Sequence, residues 1–554
     1  MGYMIQRLFT SKFRKPPRHL ILAAFFYFKS QTMSRKDEFF SHITSGYTCK
    51  GDYIVMGGAM LDGEALTDAH IRIPLKTINR HGLIAGATGT GKTKSLQVFS
   101  EQLSLKGIPS LVMDVKGDLS GLAMPGKENA FITDRHAMIN LPYTTLGFPV
   151  ELLTLSEQNG VRLRATVSEF GPVLFSRILD LNDTQSGIIS IVFKYCDDNK
   201  LGLIDLKDIK KVIQYLTGEG KEELESEYGA ISTASTGVIL RKIIELEQQG
   251  AGMFFGEESF DVMDLMRRDS NGNGYINIIR LTDIQDKPKL FSTFMLSLLA
   301  EVYNKMPERG DQPKPELVIF IDEAHLVFDE ASKTLLDQIE TIVKLIRSKG
   351  VGVYFITQNP MDVPSSVLAQ LGLKVQHALR AFTANDRKEI KLTADNFPLS
   401  DYYDTETVIT SLGTGEALVT ALNEKGIPTP LAAMMVRAPM SRMDILTDQE
   451  IISINSASDL VRKYARTIDP ESAAEILERK ISSAELKRKE EEERIAREKE
   501  REKERRSETS SRTGSRKSSG TTYRRRTTTH PVVKVLTSAT FIRGVMGILT
   551  KAMK

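Results

Sequence analysis

From about residue 81 onward, short apolar runs alternate with longer segments whose apolar positions repeat at helical spacing. Uninterrupted apolar runs are typical of strands buried on both faces of a parallel sheet, and their alternation with helices is typical of βαβ units. The pattern predicts buried strands at residues 82–86, 110–115, 275–279, 316–322, 352–358 and 374–382. Two further runs, at 416–422 and 431–438, are predicted to close the sheet. The sequence therefore predicts an α/β fold with a mostly parallel sheet.

Changes in composition divide the rest of the chain into segments around this alternating core. Residues 50–80 contain short strands broken by Gly and Asp, whereas 156–268 have helical periodicity with Gly and Asn at the breaks. The predicted segments are a non-core extension (1–32), a small N-terminal β region (33–80), the first part of the core (81–155), a helical insertion (156–268), the second part of the core (269–440), a helical C-terminal region (441–484), a charged helix with a disordered linker (485–530) and a basic amphipathic helix (531–554).

The first 32 residues combine several basic residues with a short apolar run at 20–28. This run is far shorter than the roughly 20 residues of a membrane-spanning helix, and no clear small-x-small cleavage site follows it. From Met33 the sequence continues with ordinary polar composition. We interpret residues 1–32 as a non-native or misassigned upstream extension, which leaves the true start codon open. An amphipathic membrane or targeting segment is the alternative.

The C-terminal tail begins with a sharp shift in composition. Residues 485–506 mix acidic and basic side chains at i,i+4 spacing, which predicts a solvated single helix. Residues 507–530 are rich in Ser, Thr and Arg, which is typical of a disordered linker. Apolar residues return in 531–554 and share a helical face with basic ones, so this end could contact a membrane or a partner.

The overall charge is almost balanced, with 74 basic and 71 acidic residues and a net charge of +3. A global basic field for nucleic acid is therefore absent, and any nucleic-acid contact must be local. The two cysteines, Cys49 and Cys196, exclude a disulfide scaffold and a four-cysteine zinc site. They fit a cytoplasmic protein in a reducing compartment.

Residues 86–93 read GATGTGKT and match the phosphate-binding pattern G-x-x-x-x-G-K-[ST] in full. An apolar strand precedes the pattern and a helix-compatible stretch follows it, so a P-loop is favoured over a glycine-rich turn with a chance lysine. The glycines leave backbone N–H groups open toward phosphates, and the helix turns its positive end to them. The predicted nucleotide-binding residues are Gly86, Ala87, Thr88, Gly89, Thr90, Gly91, Lys92 and Thr93. Lys92 is expected to meet the β- and γ-phosphates of ATP, and the Thr93 hydroxyl to bind Mg²⁺.

The strand predicted at 316–322 ends in two carboxylates, Asp322 and Glu323, which is typical of a Walker B motif. Asp322 is expected to hold Mg²⁺ through water and Glu323 to polarise the attacking water, since phosphoryl transfer depends mainly on charge placement. The same pair could instead cap a helix N-terminus. Its position behind an apolar run and downstream of a complete P-loop favours the Walker B interpretation.

Further polar residues flank the strand predicted at 352–358. Gln358 ends this strand and is a candidate γ-phosphate sensor, with a polar strand cap as the alternative. Arg347 precedes the strand and could be an arginine finger for a neighbouring subunit, or an ordinary cation at a helix C-terminus. Arg380 and Arg387 are rival candidates for the finger.

Two other signals do not support a metal site. Residues 269–274 imitate a calcium-binding loop, but Arg280 stands where a bidentate glutamate is needed, so the segment is predicted to be a turn before the next strand. The eight histidines have no metal-binding spacing, and His325 is expected to be structural or to support its neighbours.

Together these residues resemble the HerA/FtsK superfamily of ring-forming ATPases, and its HerA-like bacterial branch in particular. The resemblance is carried by residues 80–93, 111–123, 164–188, 192–199, 246–257, 318–329, 346–360, 375–388 and 541–549. It implies a RecA-like P-loop NTPase core that forms a homo-oligomer, specifically a hexamer, with ATP and Mg²⁺ as ligands. HerA relatives move along duplex DNA, often beside a nuclease, so the resemblance also implies duplex DNA and a nuclease as partners.

Three functions remain open at this stage. The first is an ATP-driven translocase or helicase whose ATPase activity is stimulated by duplex DNA. The second is a P-loop ATPase that remodels a protein or a membrane-associated partner without acting on DNA. The third, a degenerate nucleotide-binding regulator, is disfavoured by the intact Lys92 and Glu323.

Overall fold

The structure is a computed structural model that describes residues 34–284, 287–328, 333–466 and 470–511. Its strands are β1 (Tyr53–Leu61), β2 (Glu64–Pro74), β3 (Gly82–Ala85), β4 (Ser110–Asp114), β5 (Val150–Thr154), β6 (Val161–Arg162), β7 (Ile276–Arg280), β8 (Leu317–Ile321), β9 (Val351–Thr357), β10 (Leu373–Gln376), β11 (Glu416–Thr420) and β12 (Ala432–Val436). They form one twelve-stranded sheet in the order β2-β1-β12-β11-β10-β3-β9-β8-β4-β7-β5-β6. The predicted α/β fold is confirmed.

The strands from β10 to β6 in this order are parallel to their neighbours, whereas β11, β12, β1 and β2 are joined by antiparallel pairing. The sheet is therefore mostly parallel, as predicted. The runs predicted at 416–422 and 431–438 are present as β11 and β12, but the prediction that they close the sheet was wrong. Because β1 pairs with β12, placing Gly57 opposite Val436, and β2 pairs with β1, the sheet ends at β2 on that side.

Two strand predictions need correction. The strand predicted at 374–382 was too long, because β10 ends at Gln376 and the chain then turns toward the loop after β3. There the N–H of Ala87 donates to the carbonyl of Ala378 at 2.8 Å. The short strands β5 and β6 were not predicted. In β5 the apolar run is broken by the buried Glu151, whose carboxylate contacts Arg267 and Ser458.

Helices cover both faces of the sheet. They are α1 (Arg35–Gly46), α2 (Lys92–Leu105), α3 (Ala130–Met138), α4 (Val167–Ile178), α5 (Asp183–Asp198), α6 (Leu206–Thr217), α7 (Lys221–Glu227), α8 (Thr233–Gln248), α9 (Pro288–Lys305), α10 (His325–Phe328), α11 (Lys333–Ile346), α12 (Ser365–Leu368), α13 (Ala384–Asp395), α14 (Thr405–Ser411), α15 (Asp448–Ala457), α16 (Asp459–Tyr464) and α17 (Ala473–Ser511). The segment predicted as a helical insertion contains α4 to α8. The segment that imitates a calcium loop forms a turn before β7, in which the Asp269 carboxylate accepts backbone N–H bonds from Asn271 and Asn273.

Neighbouring residues of each central strand enter two different hydrophobic cores, because successive side chains point to opposite faces. In β4, Leu111 and Met113 belong to the core formed with α4 to α6, α8 and α9, whereas Val112 belongs to the core formed with α2. Burial on both faces explains why these strands read as continuous apolar runs. The faces are thus covered, and ligands of such sheets bind beyond the carboxyl ends of the parallel strands.

The chain divides into two compact units, one that ends at Ile481 and one that begins at Ser482. In the second unit, residues 485–503 are helical and exposed, as expected for the solvated helix predicted at 485–506. The linker predicted from 507 was wrong over 507–511, which are still helical. The rest of that linker, the helix predicted at 531–554 and the extension at 1–32 lie outside the described residues. Within the described ranges, no helix has the length and apolar character needed to cross a bilayer.

Candidate nucleotide-binding site

The predicted P-loop connects the carboxyl end of β3 to the start of α2. The strand ends at Ala85 and the helix begins at Lys92, with Gly91 as its N-cap residue at φ 116°. The first backbone N–H groups of a helix have no partner within the helix, and the helix dipole adds partial positive charge at this end. The strand–loop–helix context that a phosphate-binding loop requires is therefore present.

The shape of the loop depends on glycine at two positions. Gly86 has φ 150°, and a Cβ added there would lie 2.5 Å from the Cβ of His377. A Cβ on Gly91 would lie 3.1 Å from the backbone of Gly415, whose N–H donates to the carbonyl of Thr90 at 2.9 Å. The segments after β10 and before β11 thus pack closely against the P-loop, and at Gly86 and Gly91 only glycine fits these contacts.

Lys92 lies folded along the loop. Its ammonium donates to the carbonyl of Gly86 at 2.7 Å and to that of Ala87 at 3.2 Å, and the residue is 7% exposed. Burial lowers the pKa of this amine, and the positive charge of Lys116 lowers it further. Two ammonium groups therefore lie near the loop, which is an electrostatic environment suited to polyphosphate.

The carboxylates Asp322 and Glu323 follow β8, which is separated from β3 by β9 alone. These strands are parallel, so their carboxyl ends lie at the same edge of the sheet as the P-loop. Asp322 is 4% exposed, and burial together with the charge of Glu323 raises the pKa of its carboxyl to about 7. Within the described ranges no ion pair joins Asp322 to a basic side chain, and a divalent cation bound there would favour its ionised form. The residues thus fit Mg²⁺ held by Asp322 and the Thr93 hydroxyl.

Glu323 has left-handed backbone geometry, with φ 46°. Its side chain contacts the ammonium of Lys116 through Oε1 and lies 3.3 Å from Nδ1 of His325 through Oε2. Burial alone would raise the pKa of this carboxyl, but the contact with Lys116 outweighs it and lowers the pKa. A non-glycine residue with positive φ is uncommon and is found more often at functional sites.

Lys116 was not predicted from the sequence as a site residue. It follows β4, which pairs in parallel with β8 so that Val112 lies opposite Phe320. This register brings the residues after both strands to one edge of the sheet. The signal in the sequence was the segment VKGD directly after an apolar run, at the edge where the P-loop and Walker B residues were already predicted.

Gln358 directly follows β9, the strand next to β3, and its side chain contacts the P-loop. Its Oε1 accepts a hydrogen bond from the Thr88 hydroxyl at 3.2 Å, and the residue is exposed. Thr93 is the second residue of α2 and is half-buried. The structure thus brings residues 86–93, the carboxylate pair and Gln358 together at one edge of the sheet.

The three candidate arginines lie at different edges of the sheet, because Arg380 and Arg387 follow the carboxyl end of β10, which runs parallel to β3, whereas Arg347 does not. Arg347 precedes β9, so it lies at the amino-terminal edge of the sheet, opposite the P-loop. Arg380 and Arg387 follow β10 and are exposed, and Arg380 donates to the carbonyl of Thr410 at 2.9 Å. Arg347 is therefore not part of the site formed by its own chain, and an arginine supplied to a neighbouring subunit stays a prediction.

The fold and this site are those of a P-loop NTPase. Residues 60–554 match the family described as helicase HerA-like C-terminal, and the chain belongs to this family. It is 21% identical over 359 residues to the DNA double-strand break repair helicase HerA of Sulfolobus acidocaldarius and 25% identical over 359 residues to that of Sulfurisphaera tokodaii. Each match covers 64% of this chain and 64% of the relative's length.

Among solved structures, the chain is similar to the bacterial conjugative coupling protein TrwB in its unbound monoclinic form. The TM-score is 0.48 at 14% sequence identity, and the match covers 74% of this chain and 95% of that one.

Proposed function

We propose that this protein binds and hydrolyses ATP with Mg²⁺ and uses the energy to move along duplex DNA. The observation that carries the proposal is the meeting of the P-loop, Asp322 and Glu323 at one edge of a sheet in a chain of the HerA-like family. The two HerA relatives are named as DNA repair helicases, which supports duplex DNA as the substrate.

In the proposed reaction, water attacks the γ-phosphorus, the bond from this phosphorus to the β,γ-bridging oxygen breaks, and ADP and inorganic phosphate form. Glu323 would orient the water and accept its proton, and Lys92 would bind the β- and γ-phosphates. Thr93 and Asp322 would hold Mg²⁺, whose charge offsets the negative charge on the phosphate oxygens. Gln358, beside Thr88, would report the presence of the γ-phosphate.

The protein would work as a homohexameric ring in which each ATP lies near a neighbouring subunit. Arg347, on the opposite edge of its own sheet, would supply the finger to the next subunit, with Arg380 and Arg387 as the other candidates. An arginine supplied in this way stabilises charge in the transition state and makes hydrolysis depend on assembly. A nuclease partner, suggested by the HerA resemblance, would act on the translocated DNA.

ATP hydrolysis by the full chain, measured with and without duplex DNA of unrelated sequences, tests this proposal. Duplex DNA should stimulate hydrolysis regardless of sequence, and the stimulation should fall steeply with salt because phosphate contacts release counterions. The mass in solution with nucleotide should correspond to six chains. Hydrolysis that is indifferent to DNA but altered by deletion of residues 531–554 would favour an ATPase that remodels a protein or a membrane-associated partner.

A further inference from the structure

The contact between Lys116 and Glu323 joins a partly exposed side chain to an enclosed one. The Lys116 side chain is 42% exposed, whereas the Glu323 side chain is 6% exposed. An exposed lysine loses little packing when it changes rotamer, and its ammonium can bind any nearby anion. Glu323 has no such freedom, because its backbone is held at φ 46° and its side chain is enclosed. If this ion pair opens, Lys116 is the partner that moves.

The arrangement seen here leaves Glu323 unsuited to accept a proton from water. Lys116 contacts Oε1 and His325 lies 3.3 Å from Oε2, so both oxygens of the carboxylate face other groups. Hydrolysis therefore requires a different position of Lys116 from the one in this structure.

The negative charge of a bound triphosphate would attract the Lys116 ammonium away from Glu323. Lys116 follows β4 and contacts Glu323 at the edge of the sheet that carries the P-loop, so it lies near the space where the phosphates would bind. The γ-phosphate carries more negative charge than a single carboxylate and is a strong acceptor of charge-assisted hydrogen bonds. Lys116 can thus exchange one anionic partner for another without leaving the site.

We propose that Lys116 is a γ-phosphate sensor that holds Glu323 in the nucleotide-free protein and transfers to the γ-phosphate of ATP, thereby releasing Glu323 to bind the attacking water. This inference rests on the proposed function, since it assigns a role within the same nucleotide site. ADP lacks the γ-phosphate and leaves Lys116 on Glu323. Lys116 is in this sense a positioning residue for Glu323 as well as a ligand of ATP.

If Lys116 transfers in this way, the effect of Glu323→Gln on the affinity for ATP relative to ADP should depend on the presence of Lys116. Glu323→Gln removes the charge that competes with the γ-phosphate for Lys116, so ATP should bind more tightly relative to ADP. The gain should be about tenfold, as expected for one charge-assisted hydrogen bond. In a Lys116→Gln background no ammonium can transfer, and Glu323→Gln should no longer change the discrimination.

The test is a double-mutant cycle on the full chain, in which calorimetry gives the Kd of a nonhydrolysable ATP analogue and of ADP, both with Mg²⁺. Lys116→Met repeats the cycle with an apolar side chain, and Lys76→Gln, at an exposed lysine before β3, serves as the matched control. Thermal unfolding checks the fold of each variant. Loss of the Glu323→Gln effect in both Lys116 variants supports the sensor.

An equal effect of Glu323→Gln with and without Lys116, or no effect in either background, would overturn the sensor. These outcomes leave the proposed function intact as long as Lys92→Ala abolishes nucleotide binding. A wild-type protein that binds neither nucleotide would contradict the proposed function itself, together with the inference built on it.

Discussion

The Cβ atom of His377 lies where the P-loop residue Gly86 has no side chain, and a Cβ on Gly86 would approach it to 2.5 Å. His377 is fully buried, its N–H donates to the carbonyl of Ala85 at 2.7 Å, and its Nε2 lies 2.9 Å from the Ser95 hydroxyl. One histidine thus contacts the end of β3, the loop and the first turns of α2. The geometry of the phosphate cradle depends on this packing as well as on the glycines.

Gly86→Ala is therefore expected to destabilise the protein more than Gly89→Ala. At Gly86 the new methyl group meets His377, and overpacking of this kind costs about 1–3 kcal/mol. At Gly89, where φ is 78°, no atom lies within 4 Å of an added Cβ, so only the backbone strain of roughly 1 kcal/mol applies. Urea unfolding of both variants measures the difference, and equal losses would show that His377 does not restrict Gly86.

His377 should also make stability depend on pH. Burial lowers the pKa of its imidazole to about 4. Above pH 6.5 the group is neutral in both states, but as pH falls toward 4 the unfolded chain takes up the proton first, so stability is lost by up to about 1.4 kcal/mol per pH unit. In His377→Gln this contribution is absent. The stability difference between wild type and variant should therefore shrink from pH 7 to pH 5, and a constant difference would contradict the assignment.

Lys92→Ala should abolish nucleotide binding while the protein stays folded. The substitution removes two hydrogen bonds to loop carbonyls and the ammonium proposed to bind the β- and γ-phosphates. We expect hydrolysis to fall by about 10²-fold or more, the effect of removing one preorganised charge from a transition state. Calorimetric titration with Mg²⁺ and ATP checks binding, and circular dichroism checks the fold. Lys76→Ala, at the amino-terminal edge of the sheet, should behave as wild type.

Glu101 is expected to be a major stabilising contact of the P-loop helix α2. Its buried carboxylate accepts N–H bonds from Met440 and Ser441, each at 2.9 Å, and these donors belong to the segment after β12. Glu101→Gln would keep one acceptor oxygen but turn an amide NH₂ toward the other donor and leave that backbone N–H unsatisfied, at a cost of about 1–3 kcal/mol. Glu219→Gln, at an exposed loop position, should change stability by less than about 0.5 kcal/mol. Equal unfolding midpoints for the two variants would refute the role of Glu101.

The parallel strands could be predicted from sequence because burial on both faces leaves uninterrupted apolar runs. β5 escaped detection because Glu151, its second residue, interrupts the apolar run, and only the fold reveals Arg267 and Ser458 as partners of the Glu151 carboxylate. The position of β11 and β12 within the sheet could not be inferred either, since it depends on the return of β1 to pair with β12.

In the nucleotide site, too, some residues could be predicted from local sequence and others depend on how the strands pair. The P-loop, Asp322, Glu323 and Gln358 lie at the carboxyl ends of predicted strands, and parallel pairing brings them to one edge without further information. The segment VKGD after an apolar run places Lys116 at this edge as well, but its contact with Glu323 depends on the register between β4 and β8, which no local pattern encodes.

In the proposed function the P-loop binds ATP and Glu323 prepares water for its cleavage. Steady-state hydrolysis of ATP with Mg²⁺ by the wild type, Glu323→Gln and Glu316→Gln separates these two roles. Glu316 lies just before the other end of β8, and among the described residues its carboxylate pairs with the half-exposed Arg309, so it is a matched control. We expect the wild type and Glu316→Gln to hydrolyse ATP, and Glu323→Gln to bind ATP without hydrolysing it. Hydrolysis that persists at the wild-type rate in Glu323→Gln would contradict the role of Glu323.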